Sequence, residues 1–135
     1  MSGRKIVLVG MALLLASSAA IAQPKPPAMD RDLIEVTVPQ LQQFYASRKY
    51  TVTQVTQWYL DRIARYDGIY RAVETVMAKE ALARAAAEDA DRAGNHGPLW
   101  GVPIVIKANT SIQGQVTTDG WAGFTLPGKE LIAPR

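Results

Sequence analysis

The feature that most constrains this chain is a short apolar run, Ile104-Val105-Ile106, entered through Gly97-Pro98-Leu99-Trp100-Gly101-Val102-Pro103 and closed by Lys107. Three consecutive β-branched residues predict a strand covered on both faces, as in a parallel sheet. The Gly/Pro-rich approach predicts a rigid turn into it. Such a strand needs neighbours, and sheets commonly have ~4–6 strands. The rest of the chain offers one weaker candidate, Ala72 to Met77, with the β-branched residues Val73, Thr75 and Val76. The pattern therefore predicts either further strands or a domain of which this chain is part.

Helical periodicity accounts for most of the remainder. Pro39 to about Arg48 predicts a short helix capped by Thr37, with Leu41, Phe44 and Tyr45 on one side. Thr51-Val52-Thr53-Gln54 matches a capping box, in which two side chains satisfy helix-end N–H groups. Val55, Trp58/Tyr59, Arg62/Ile63 and Tyr66 recur at helical spacing behind it, Gln57, Asp61 and Arg65 face water, and Gly68 predicts the stop. An alanine-dense helix is expected from about Ala78 to Ala93, closed by Gly94-Asn95. Residues from Ser111 to Arg135 hold Gly114, Gly120, Gly123, Pro127, Gly128 and Pro134 and predict loops.

At the N-terminus, Arg4 and Lys5 precede an apolar run from Ile6 to Ala16 and small residues ending Ala20-Ile21-Ala22. This predicts a secretory signal peptide, 1–22, cut before Gln23, rather than an uncleaved anchor. A Pro-rich linker, 23–32, would follow, with one domain over 33–135. The expected compartment is the periplasm or the exterior, with no stable membrane insertion.

Composition excludes several function classes. There is no cysteine, hence no disulfide framework, thiolate nucleophile or Cys-based zinc site, and one histidine cannot build a His-rich metal site. The net charge of +3 drops to +1 once Arg4 and Lys5 leave with the leader, and no basic stripe with interleaved aromatics suggests nucleic acid. Neither metal nor cofactor is called for.

Lys107 is the residue to weigh for chemistry. A lysine where an apolar strand meets a polar loop can serve as a base when burial lowers its pKa. The plainer reading is a side chain snorkelling from a strand end into water. Ser111, Thr117 and Thr118 carry nearby hydroxyls, and a Ser–Lys dyad is chemically conceivable. With no oxyanion-hole motif beside them, they read better as loop-shaping. His96 reads as a solvated turn residue, the Asn109-Thr110-Ser111 sequon as structural, and Glu80, Glu88, Asp89 and Asp91 as a solvated helix face.

Over residues 33–135 the chain resembles the N-terminal part of the amidase signature family of serine hydrolases. TVTQVTQWYLDRIARYD looks like the family's capped early helix, and AVETVMAKEALARAAAEDADR like the strand and alanine-rich helix after it. GPLWGVPIVIKANTSIQGQVTTDGW resembles the family's Gly-Pro-Leu-x-Gly-x-Pro, apolar strand, Lys, x-Asn, then Thr-Thr-x-Gly. The resemblance implies an α/β fold, a mixed sheet covered by helices and incomplete in this chain. It implies hydrolysis of amide C–N bonds in a small-molecule substrate by a Ser–cis-Ser–Lys triad whose base matches Lys107. The two serines of the family's Gly/Ser-rich segment have no match in this sequence, so the chain alone is expected to be inactive. Many members carry Asp after the lysine, where this chain has Ala108. Substrate-binding residues and oligomeric state are not legible. The alternatives are a small exported non-catalytic binding protein, a decayed amidase remnant, or a helical subunit docking through Trp58/Tyr59.

Overall fold

A computed structural model describes residues 28–94, 96–128, 130 and 132. The expected leader, 1–22, and linker residues 23–27 lie outside these. Four helices carry the fold: α1 (Ala28–Leu33), α2 (Val38–Ala46), α3 (Val52–Tyr70) and α4 (Ala78–Ala90), and a 3-10 turn follows at Ala122–Thr125.

Local capping starts α2 and α3. The Thr37 hydroxyl accepts from the Gln40 N–H while Gln40 Oε1 accepts from the Thr37 N–H, and Thr51 and Gln54 repeat the arrangement. Each box satisfies two N–H groups that the helix leaves orphaned. The helix from Thr51 does not stop at Gly68. It continues to Tyr70 and closes at Arg71, which takes a left-handed conformation with φ of 50°. Asp67 makes the exit: its Oδ1 accepts the Ala72 and Val73 N–H groups at 2.7 and 2.9 Å. The alanine-rich helix ends at Ala90, and turn structure occupies 91–93.

The buried core is Leu33, Leu41, Tyr45, Tyr50, Val52, Val55 and Ala85, and α3 and α4 pack against each other. Helix α1 begins within the segment expected to be an extended linker. Six residues are too few to hold a helix by propensity. Burial of Leu33 and a 2.7 Å hydrogen bond from Trp58 Nε1 to Asp30 Oδ1 hold it instead. On the Trp58/Tyr59 face, Trp58 thus has a partner inside this chain.

Both expected strands need correction. Ile104, Val105 and Ile106 belong to no β-ladder among the described residues, with 72, 83 and 48% of their surfaces exposed. Residues 72–77 are also without a ladder, and the isolated pairing Val116–Ile132 is the one bridge resolved to both partners. The described part is therefore mostly helical, and the mixed sheet is not seen among the described residues. A strand is a property of a pair: β-branched residues favour extended backbone, but the ladder needs a neighbour's N–H and C=O groups.

Candidate active site

The Gly-Pro-Leu-x-Gly-x-Pro stretch serves as an anchor. Gln42 Nε2 donates to the Trp100 carbonyl at 2.6 Å and the Tyr45 hydroxyl to the Gly101 carbonyl at 2.7 Å, while the Gly101 N–H donates to Glu88 Oε2 at 3.1 Å. Helices α2 and α4 thereby grip both sides of one peptide. Gly101 has φ of 70°, and a Cβ there would stand 2.8 Å from Tyr45 Cε2 and 2.9 Å from Val52 Cγ2. Only glycine meets both demands.

From this anchor residues 102–106, without regular secondary structure, lead to Lys107, whose side chain is exposed. The Lys107 carbonyl accepts from the Thr110 N–H at 2.9 Å, turning the chain directly after the lysine. The Ala108 carbonyl accepts from the Asp119 N–H at 3.1 Å. That bond joins two motifs eleven residues apart, the lysine and Thr117-Thr118-Asp119-Gly120. Asp119 and Gly120 take positive φ of 49° and 76°, which turns the second motif back on itself.

Thr117 and Thr118 are buried. Thr117 donates to Ser111 Oγ at 3.1 Å, and Thr118 donates to Glu74 Oε2 at 2.7 Å while accepting from the Gly120 N–H. The loop-shaping reading of these hydroxyls thus has specific bonds behind it: Ser111 faces another neutral hydroxyl, and Thr118 ties the loop to the segment after α3. At position 108 it is the backbone carbonyl, present whatever the side chain, that makes the cross-connection.

Two of the residues read as a solvated helix face, Glu88 and Asp89, prove structural, while Glu80 and Asp91 are exposed. Asp89 accepts the Val52 and Thr53 N–H groups, each at 2.9 Å, and pairs with Arg92 at 2.8 Å, so one carboxylate caps α3 from α4. Partial burial pushes its carboxyl up, but the bonds from Thr53, Arg92 and Val52 outweigh this and hold it well below the usual range. Tyr45 is pushed well up, by burial first and then by the Asp89, Tyr59 and Glu88 charges. Tyr50 is pushed up to about 12 by burial and by its 2.6 Å bond to Asp32. His96 stacks on Trp100 with ring centroids 4.6 Å apart, more engaged than a solvated turn residue. Among the described residues no cluster of His, Cys, Asp and Glu could hold a metal ion, and no helix is long and apolar enough to cross a membrane.

Comparison with known proteins places these motifs. The amidase family model matches residues 54–125, from the first turn of α3 through the Thr-Thr-Asp-Gly loop. The chain is 46% identical over 91 residues to a glutamyl-tRNA(Gln) amidotransferase subunit from Renibacterium salmoninarum, covering 66% of this chain and 18% of that protein. It is 41% identical over 98 residues to the subunit of the same name from Paenarthrobacter aurescens, covering 68% and 19%. It is 45% identical over 74 residues to AmiB2 of Mycobacterium bovis, covering 54% and 16%. The chain thus spans less than a fifth of the length of these relatives. No solved structure matches it.

Proposed function

Because the chain belongs to the amidase family, we propose that it is the N-terminal part of an amide C–N hydrolase in which Lys107 is the general base of a Ser–cis-Ser–Lys triad. In that mechanism Lys107 accepts a proton through a bridging serine. The nucleophilic serine adds to the amide carbonyl, the C–N bond breaks as the amine leaves protonated, and water hydrolyses the acyl-enzyme. Neither serine of the triad has a counterpart here, so these 135 residues made alone would not turn over an amide. In the complete domain, the extended run 102–107 takes its place in a mixed sheet, with Lys107 at its end. The expected substrate is a small-molecule amide, and the leader at 1–22 directs the protein to the periplasm or exterior.

The observation carrying this reading is the amidase family match over residues 54–125, which includes Lys107; within it lies the Asp119–Ala108 backbone bond. That bond joins the turn directly after the lysine to the Thr-Thr-Asp-Gly loop. The test is substitution in a full-length protein that contains this chain. Lys107→Ala should lower amide hydrolysis by about 10²–10⁴-fold, as loss of a general base does. Lys107→Arg should fail almost as badly, because guanidinium stays protonated. Near-normal turnover in either variant would make Lys107 a surface residue.

A further inference from the structure

We propose that Glu74 is a positioning residue for Lys107: its carboxylate tethers the loop that carries the lysine to the helical body. The role of Lys107 rests on the amide-hydrolase reading above, whereas the tether rests on the structure alone.

Residues 107–128 bond mainly to one another. Thr110 closes on Lys107, Gln115 on Ile112, Thr117 on Ser111, Asp119 on Ala108 and Trp121 on Thr118. Among the described residues, one hydrogen bond joins this segment to anything before it: Thr118 Oγ1 donates to Glu74 Oε2 at 2.7 Å, across 44 residues of sequence. None of the described ion pairs involves the segment. Val102 is the last residue packed against the apolar core, so side-chain burial there does not hold the lysine loop either.

Both ends of this bond are fixed. Asp67 Oδ1 accepts the Ala72 and Val73 N–H groups, so the backbone just before Glu74 is held to the end of α3. Thr118, 4% exposed, is the hub of its own turn. Its hydroxyl accepts from the Gly120 N–H at 3.2 Å and its carbonyl from the Trp121 N–H at 2.8 Å. The residue between, Asp119, donates its N–H to the Ala108 carbonyl. A continuous path thus runs from α3 through Glu74 and Thr118 to the residue next to Lys107. A carboxylate suits its place in that path, because an ionised acceptor bonds a hydroxyl about twice as strongly as a neutral one. A general base must stand within hydrogen-bond reach of its proton, and a displacement of ~1 Å can cost ~10²-fold in rate.

The experiment has two arms. In the 135-residue chain, Glu74→Ala should speed amide exchange at Asp119 about tenfold, the loss expected for one charge-assisted bond, and leave the Val55 N–H unchanged. In a full-length protein containing this chain, Glu74→Ala should lower kcat about ten- to hundredfold with KM within about twofold. Glu74→Gln keeps an acceptor oxygen and should recover most of that loss. Thr118→Val removes the donor, and the double variant should be no worse than Thr118→Val alone, because the two residues share one bond. Unchanged Asp119 exchange in Glu74→Ala overturns the tether. Unchanged kcat in Glu74→Ala beside an inactive Lys107→Ala, or fully additive losses in the double variant, overturns the positioning role. Normal turnover in Lys107→Ala instead removes the general-base reading and the positioning role with it, while exchange at Asp119 still decides the tether.

Discussion

Replacing Gly101 by alanine tests the grip of the helices on the approach to Lys107. Forcing an L-residue into the left-handed conformation held at φ of 70° costs about 1–2 kcal/mol. The added Cβ would also meet Tyr45 Cε2 at 2.8 Å and Val52 Cγ2 at 2.9 Å, both on buried core residues. Overpacking of that kind costs about 1–3 kcal/mol. Together these give about 3 kcal/mol, or roughly a 150-fold faster opening at 1.36 kcal/mol per factor of ten. Amide hydrogen exchange reads this locally and needs no all-or-none melt. The reporter is the Val55 N–H, bonded to the Thr51 carbonyl at 3.1 Å beside the clamp. Two other glycines calibrate the scale. Gly97 has ordinary φ and open space around its Cβ direction, so Gly97→Ala should leave exchange within about twofold. Gly120 has φ of 76° but no neighbour within 4 Å, so Gly120→Ala should carry the conformational part alone, about 1 kcal/mol or fivefold in its own turn. Exchange at Val55 in Gly101→Ala no faster than in Gly97→Ala would refute the clamp.

Asp89→Asn should weaken the α3–α4 junction by about 2 kcal/mol, since one carboxylate accepts two helix-start N–H groups and an arginine. Because the folded-state pKa is lowered, this share of stability is complete above the ordinary aspartate range and is lost as pH falls toward the lowered value. An acid titration of α3 protection should show that loss in the parent and not in Asp89→Asn. The 135-residue chain alone should hydrolyse no amide and take no label from a serine-directed fluorophosphonate; labelling at Ser111 abolished by Lys107→Ala would establish the minimal dyad instead. On export, N-terminal sequencing should find Gln23, or a residue within one or two of it, first; intact Met1 on membrane-bound material would mean an anchor.

What can be read from the sequence tracks how local each cause is. The Thr51–Gln54 box spans three residues and is visible as letters. The same pattern at Thr37–Gln40 is equally available, although only Thr37 stands out beside Pro39. The end of α3 escapes a sequence reading because Gly68 looks like a stop, while the actual exit depends on Asp67 gathering the N–H groups of Ala72 and Val73. Helix α1 has no local signal, since its hold is Trp58, 28 residues away. Asp89 looks like any acid on a charged helix, because its partners lie 36 and 37 residues upstream. For Ile104-Val105-Ile106, residue type dictates the extended backbone but cannot supply a neighbour. The lysine and its loop are legible as motifs, while the backbone bond joining them emerges only in the fold.

The helical grip on the Trp100–Gly101 peptide also has a consequence for the order of events at synthesis. Its bonds to Gln42, Tyr45 and Glu88 join residues 42–101, and none reaches past Gly101. Chains emerge from the ribosome at ~5–20 residues per second, and helices form in about a microsecond. The clamp can therefore close within seconds of residue 101 clearing the ribosome, before anything downstream exists to pair with Ile104-Val105-Ile106. The run 104–106 then emerges already tethered at its start, and any segment that came to pair with it would avoid part of the entropy of searching for a partner.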